Sequence, residues 1–372
     1  MKGSDLKRKV KETLIDLFYN LNIEKTYKTG DKILVTSTDG IGDFIVREKV
    51  FLEIIERYGK ENIIVLVKDK TVPLIEKYGV KNIVVYDKES RKEFCEGVKF
   101  LRKIFSLGIS KIYSLEFSKQ DLWFIRYFSK LKSMKSMKSM KSMEKIEIMG
   151  YTISDNLGLD KEYDKYYTKL VSRDSANQVI ELSMRYIMEA FNKKVDLDEV
   201  RPNLSVLYKR DSAYANDIAV GVGSIDRKKI MTPKNLERIL IELSKTYPKS
   251  RIILLGKGKL EEKVISEMDS ISKYSNIIDR VNKTSLEETN IIINSSKLYV
   301  GVDSGLYNIA FGFRKKVIGL FTKKEHGFSH SCYEDITILS GNNGEKGYFG
   351  NEYLNGISPQ EVIEASKKLL GE

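Results

Sequence analysis

Acidic, hydroxyl and basic side chains follow three apolar segments of the chain, each at the point where a strand would end. They are Asp43, Ser224, Lys229, Asp303 and Ser304. A carboxylate can accept the proton of an attacking hydroxyl group. An ammonium group and the free N–H groups at a helix start can bind a phosphate. The pattern therefore suggests proton transfer and binding of an anion.

Three pairs of glycines accompany these positions with Gly-x-Gly spacing: Gly40 and Gly42, Gly221 and Gly223, Gly256 and Gly258. A dinucleotide-binding fingerprint needs a further Gly or Ala three positions on, and Ile45, Asp226 and Glu261 stand there. The segment 256–261 also lacks the Gly-Lys-Ser/Thr of a P-loop. These mismatches argue against a plain NAD enzyme and a Walker ATPase.

Each of these candidate residues also has a structural interpretation. Asp43 could cap the helix that starts after Gly40 and Gly42, and Ser304 could do the same for the next helix. Lys229 could be an ordinary solvated lysine in a loop. The residue types alone leave these alternatives open.

Apolar strand-like segments alternate with amphipathic helical patterns in two series, the second beginning near residue 217. Continuous apolar strands between helices are typical of parallel sheets covered on both faces. We therefore predict an α/β protein with two doubly wound domains, residues 1–195 and 196–357. A final helix in residues 358–372 starts at the cap Ser358, and we considered that it packs back on the N-terminal domain.

Four short motifs occur in a fixed order: GIGD, GSxxxxK, LLGxGxxEE and VDSGLxxxA. In this order the chain resembles glycosyltransferase family 9, the heptosyltransferase-like group. The resemblance covers about residues 32–321. It implies a GT-B fold, in which two Rossmann-like domains face each other across a cleft. It also implies an inverting, metal-independent transfer of a sugar from a nucleotide-diphosphate donor. The implied acceptor is a lipopolysaccharide core or another surface glycan, and ADP-heptose is one candidate donor.

The resemblance assigns a role to each matched residue. Asp43 matches the proposed catalytic base. The donor-binding positions are Ser224, Lys229, Glu261, Glu262, Asp303, Ser304 and Gly305, with Glu261 or Glu262 near the nucleoside. Gly40, Gly42 and Gly223 match turn glycines. Two departures concern Asn308, where the family usually has His, and Met231-Thr232, where it usually has Trp-Pro.

No metal site or cofactor is expected. The sequence Asp196-Leu197-Asp198 lies in the predicted linker, and His326 and His330 are separated by residues that disfavour a helix. Cys95 and Cys332 stand alone, so neither a disulfide framework nor a zinc site is predicted.

The formal net charge is +12, and residues 99–145 carry +9 of it, interleaved with eight aromatic residues. Such a stretch could contact anionic lipid headgroups or single-stranded nucleic acid. The alternative is that the rings form core and the lysines form a solvated face. Residues 132–143 repeat Lys-Ser-Met four times, which favours a surface loop.

The chain shows no signal peptide and no apolar run long enough to span a membrane. We therefore expect a cytoplasmic protein. The basic stretch would place it at the inner membrane face, and the resemblance implies a lipid-linked glycan as acceptor and no nucleic-acid partner. Two alternatives are a sugar-nucleotide-binding protein of the same architecture without transfer activity, and a nucleic-acid-binding protein.

Overall fold

A computed structural model describes residues 13–14, 27–28, 30–87, 89–116, 122–130, 146–152, 164–173, 176–322, 327–341 and 354–372. The chain divides into two compact units. The N-terminal unit comprises Met1–Ser175 and Leu182–Val195, and the C-terminal unit comprises Ala176–Glu181 and Asp196–Glu372.

The N-terminal unit contains a six-stranded parallel sheet in the order β3-β2-β1-β4-β5-β6. Its strands are β1 Lys32–Ser37, β2 Ile63–Val67, β3 Ile83–Val85, β4 Ile109–Ser114, β5 Glu147–Tyr151 and β6 Lys169–Val171. Its helices are α1 Ile41–Val46, α2 Glu48–Tyr58, α3 Val72–Lys77, α4 Glu89–Lys92, α5 Phe94–Phe105, α6 Ile125–Lys130 and α7 Val179–Phe191, the first turn of which is grouped with the other unit. The central strands consist of apolar, mostly β-branched residues because both faces of a parallel sheet are buried.

The C-terminal unit repeats this plan with the order β12-β11-β10-β7-β8-β9, again all parallel. Its strands are β7 Ile218–Gly221, β8 Ile252–Leu255, β9 Ile277–Asp279, β10 Leu298–Val302, β11 Val317–Phe321 and β12 Ile336–Ser340. Its helices are α8 Leu197–Val200, α9 Pro233–Thr246, α10 Lys259–Ser266, α11 Leu286–Ser295, α12 Gly305–Gly312 and α13 Pro359–Leu370. The predicted pair of parallel-sheet α/β domains is confirmed.

The aromatic residues of the basic stretch belong to the core of the N-terminal unit. Those that the structure describes are all buried: Phe100, Phe105, Tyr113, Trp123, Phe124, Tyr127 and Phe128. The hypothesis that these rings contact lipid or stack on bases is therefore wrong, because burial of their apolar surface stabilises the fold. Phe117 and the repeat at 132–143 lie outside the described residues.

The C-terminal helix α13 packs within the C-terminal unit. Its residues Val362, Ile363 and Ala365 join the core of that unit. The Ser366 hydroxyl also lies 2.8 Å from the hydroxyl of Tyr247, just after α9. The apolar face of α13 is thus buried against α9 and its neighbours in this unit.

Both sheets contain a topological switch point. In the N-terminal unit the chain runs from β1 to β2 and β3 on one side and returns to β4 on the other. In the C-terminal unit β8 and β10 flank β7 in the same way. Ligands of open α/β sheets bind outside the carboxyl ends of the strands at such points. The candidate residues follow these strand ends.

Candidate functional site

At the switch point of the C-terminal sheet, two motifs of the sequence meet through an ion pair. Lys229 ends a short 3₁₀ turn, Arg227–Lys229, which Asp226 caps through the N–H of Lys228. Asp303 follows β10 directly. The Lys229 Nζ lies 2.6 Å from Asp303 Oδ2, and the lysine side chain is about one-third exposed. The ammonium group is therefore held beside the strand ends and can still reach a ligand.

The N-terminus of α12 lies next to this pair in the chain. Ser304 caps the helix, and its hydroxyl accepts a 3.4 Å hydrogen bond from the N–H of Tyr307. Gly305 opens the helix, and Ser224 is buried just beyond β7. The helix dipole adds positive potential to that of Lys229. This arrangement suits a diphosphate group.

Three glycines of the Gly-x-Gly motifs surround the side chain of Glu261, which is in the first turn of α10. A β-carbon on Gly223 would lie 2.6 Å from Glu261 Cγ, one on Gly256 3.0 Å from Cγ, and one on Gly258 2.6 Å from Oε2. Gly258 also has a positive φ of 151°. These glycines therefore make room for a carboxylate rather than for a phosphate.

Glu261 is buried in this recess, whereas Glu262 is exposed. The sequence left open which of the two glutamates lies near the nucleoside. The enclosure by glycines favours Glu261, because its carboxylate has a fixed position at the carboxyl ends of β7 and β8.

The two positions that depart from the family pattern, Asn308 and Met231-Thr232, both lie in the C-terminal unit. His330 is fully buried, stacks on Phe311 with the ring centroids 3.8 Å apart, and has Nε2 3.0 Å from Asn308 Oδ1. A histidine from another segment thus contacts position 308. Met231 is buried in the core, and Thr232 occupies the N-cap position of α9 ahead of Pro233.

At the switch point of the N-terminal sheet, Asp43 occupies the first turn of α1. Its Oδ2 accepts a 2.8 Å hydrogen bond from the N–H of Gly40, and the side chain is half-buried. The capping function that we considered is thus present. Because a capping carboxylate retains free lone pairs, the assignment of Asp43 as a base stays a prediction.

Sequence reasoning missed Glu116, which lies two residues beyond β4 and is fully buried. Its carboxylate accepts hydrogen bonds from the Thr36 hydroxyl and the Thr38 N–H, both at 2.7 Å, and from the Ser114 hydroxyl at 3.1 Å. Burial, together with the nearby charge of Asp39, raises the Glu116 pKa to about 7. An acidic residue directly after the apolar run 112–115 was the available signal.

Arg47 was also missed. Its side chain is fully buried, and its guanidinium lies 3.4 Å from Asp39 Oδ2. Burial and the positive charge of Arg47 lower the pKa of Arg173, which follows β6. Nothing in the local sequence distinguishes Arg47 from an exposed arginine on a helix.

Within the described ranges, no group of three or more His, Cys, Asp or Glu side chains could bind a metal ion. Asp196 caps α8 by accepting the N–H of Glu199 at 2.9 Å. His326 lies outside the described residues, and Cys95 and Cys332 are free thiols. No helix in the described part of the chain has the length and apolarity to cross a membrane.

The comparisons with known proteins agree with the resemblance. Residues 240–355 match the family model described as glycosyltransferase family 9 (heptosyltransferase). This segment contains Glu261, Asp303, Ser304 and Gly305. No curated protein matches the chain in sequence.

Solved structures share the fold over nearly the whole chain. A family 9 glycosyl transferase from Veillonella parvula is 15% identical, with a TM-score of 0.62 over 92% of this chain and 98% of that one. The E. coli heptosyltransferase WaaC with ADP-2-deoxy-2-fluoro heptose is 12% identical, with a TM-score of 0.63 over 91% and 99%. The UDP-GlcNAc 2-epimerase of Methanocaldococcus jannaschii is 12% identical, with a TM-score of 0.55 over 92% of both chains. The fold is that of the GT-B glycosyltransferases.

Proposed function

We propose that the protein is an inverting, metal-independent glycosyltransferase that moves a sugar from a nucleotide-diphosphate donor to a surface-glycan acceptor. The proposal rests mainly on the group formed by Lys229, Asp303 and the N-terminus of α12 at the switch point of the C-terminal sheet. The family match over residues 240–355 supports the same activity.

In the proposed mechanism, Asp43 accepts the proton of the acceptor hydroxyl while that oxygen attacks the anomeric carbon. The bond from the anomeric carbon to the diphosphate breaks as the new glycosidic bond forms, so the configuration inverts. Negative charge then gathers on the leaving diphosphate. Lys229 and the helix dipole of α12 stabilise this charge, so the proposed step uses no metal ion.

ADP-heptose is our candidate donor, because a similar fold binds an ADP-heptose analogue in WaaC. The acceptor in this proposal is a lipid-linked glycan of the lipopolysaccharide-core type. The protein would then work in the cytoplasm at the inner membrane face. The exposed Lys99 and Lys103 on α5 and the excess charge of residues 99–145 support contact with anionic lipid.

The lipid contact can be tested by sedimentation. The protein should sediment with phosphatidylglycerol vesicles and be released as the salt concentration rises, because salt screens the attraction between charges. Equal, salt-insensitive binding to neutral vesicles would contradict the proposed contact.

The donor site is tested by calorimetric titration with ADP, UDP and their sugar conjugates. The wild-type protein should bind at least one of them. The variant Lys229→Gln should bind it more weakly, because glutamine keeps much of the length of lysine but lacks its charge. Lys228→Gln is the matched control, since Lys228 is exposed in the same turn. Equal binding by wild type and Lys229→Gln would remove Lys229 from the site.

A second candidate function is the chemical processing of a sugar nucleotide without transfer. The likeness to the UDP-GlcNAc 2-epimerase fold favours it over nucleic-acid binding, for which the described aromatic rings of the basic stretch are too deeply buried. Incubation with the bound sugar nucleotide in the absence of acceptor separates the two functions. Epimerisation of the sugar without acceptor would support processing. A sugar nucleotide that stays unchanged without acceptor, and is consumed only when a glycan acceptor is added, would support transfer.

A further inference from the structure

Tyr299 places a buried hydroxyl group beneath the donor site. The residue lies on β10, and its side chain is fully buried. A β-carbon added to Gly221 would lie 2.1 Å from the Tyr299 hydroxyl oxygen, and one added to Gly301 would lie 2.6 Å from it. Gly221 and Gly301 are paired across β7 and β10. The side chain therefore extends over this glycine pair toward the carboxyl ends of the two strands.

The Tyr299 hydroxyl has no hydrogen-bond partner among the described residues. It lies near the Ser304 side chain, without the geometry of a hydrogen bond. Buried tyrosine hydroxyls usually have a partner, because removing a polar group from water without one is unfavourable. Two glycines thus leave space for a tyrosine whose hydroxyl has no hydrogen-bond partner in the described part of the chain.

The hydroxyl of Ser304, which lies near that of Tyr299, accepts only a weak hydrogen bond. Its contact with the Tyr307 N–H is 3.4 Å long, at the outer limit of a hydrogen bond. The N–H groups of the first turn of α12 are the groups that a bound phosphate would use. A phosphate that takes the Tyr307 N–H would leave the Ser304 oxygen free to accept another donor.

We propose that Tyr299 is a positioning residue for the donor diphosphate, which it reaches through Ser304. When the ligand binds, the Tyr299 hydroxyl donates to the Ser304 oxygen, and the Ser304 hydroxyl donates to a phosphate oxygen. The inference rests on the proposed function, since it requires a diphosphate at the start of α12. It also explains why glycine stands at positions 221 and 301, where a β-carbon would collide with the tyrosine hydroxyl.

The test is a double-mutant cycle on the full chain, with the affinity for ADP or UDP as the readout. Tyr299→Phe should bind the nucleotide about 3- to 10-fold more weakly, the range for one lost neutral hydrogen bond. In the Ser304→Ala background the same change should have no further effect, because the tyrosine acts through the serine. Equal effects of Tyr299→Phe in both backgrounds would overturn the proposal.

Stability provides a second readout. If the Tyr299 hydroxyl had a purely structural role, its removal would lower the denaturation midpoint. Tyr299→Phe removes an unsatisfied buried group, so its denaturation midpoint should be no lower than that of wild type. Tyr247→Phe is the matched control, because that hydroxyl is 2.8 Å from Ser366 and Tyr247 follows the C-terminus of α9, remote from the strand carboxyl ends. This control should lower the midpoint and leave the nucleotide affinity unchanged.

The outcomes separate the inference from the proposed function. If wild type binds neither ADP nor UDP, the proposed function fails, and this inference fails with it. If wild type binds and Tyr299→Phe binds equally well, the inference alone fails. Weaker binding by Tyr299→Phe without loss of stability, abolished in the Ser304→Ala background, supports it.

Discussion

The two switch points share a topology but differ in the charges that they present. The N-terminal one presents Asp43 in the first turn of α1 and Glu116 beyond β4, where the charge of Asp39 helps to raise the Glu116 pKa. The buried Arg47 lies beside Asp39. The C-terminal one presents Lys229 and the N-terminus of α12, next to Asp303. Carboxylates suit proton transfer, whereas an ammonium group and a helix start suit an anion.

The comparison also extends to how the side chains are held. In the N-terminal unit, Glu116 is fixed by two hydroxyls and one backbone N–H. In the C-terminal unit, Glu261 is fixed by the space that three glycines leave around it. One fold can therefore provide different chemistry in its two halves, because the residues after the strand ends vary while the strands keep their packing.

The largest effect should come from the proposed base. Asp43→Asn should reduce the transfer rate by roughly 10²–10⁴-fold, because an amide cannot accept the proton. Nucleotide affinity and stability should stay near wild type, since the asparagine oxygen can still accept the Gly40 N–H. Steady-state kinetics, calorimetry and denaturation measure the three quantities.

Asp196→Asn is the matched control for this prediction, because Asp196 is a helix cap with no proposed chemistry. It should leave the transfer rate unchanged. A near-normal rate for Asp43→Asn would reduce Asp43 to a cap, and the N-terminal switch point would lose its proposed proton acceptor.

The next effect concerns the pH dependence of stability. Glu116 keeps its proton up to about pH 7 in the folded protein, whereas the unfolded carboxyl loses it near pH 4.5. The folded state binds more protons in this window, so the free energy of unfolding should fall as pH rises from 4.5 to 7. Between these pH values the free energy of unfolding of wild type should fall by on the order of 3 kcal/mol more than that of Glu116→Gln. Urea denaturation across this window measures it.

Glu53 in the same unit provides a control of opposite sign. Burial raises its pKa, but hydrogen bonds from Lys193 and Lys49 lower it by more. Its stabilising contribution is therefore present above the unfolded pKa and is lost as pH falls.

If Glu116→Gln and wild type respond identically to pH, the Glu116 carboxyl does not titrate in this window.

The smallest effect distinguishes two adjacent glutamates of the C-terminal site. Glu261→Gln should weaken nucleotide affinity about tenfold, because charged acceptors bind hydroxyl donors more strongly than neutral ones. Glu262→Gln should have no effect, since that side chain is exposed outside the glycine recess. Calorimetry with the same nucleotide compares them. The reverse order of effects would assign the nucleoside contact to Glu262.

The sequence by itself determined the two parallel-sheet units and the positions of the strand ends. Apolar runs such as 63–67 must be buried, and burial on both faces requires helices on either side. Local order alone therefore places the residues that follow these runs, including Asp43 and Asp303, beyond the strand ends.

Only the tertiary structure decided which distant residues meet. The Lys229–Asp303 pair, the glycine recess around Glu261 and the space for Tyr299 all join segments that the chain order separates. The burial of Arg47 and the raised pKa of Glu116 depend on desolvation by neighbouring elements. Local sequence carries periodicity and turn chemistry, but burial and electrostatic coupling arise only when the strands are ordered in the sheet.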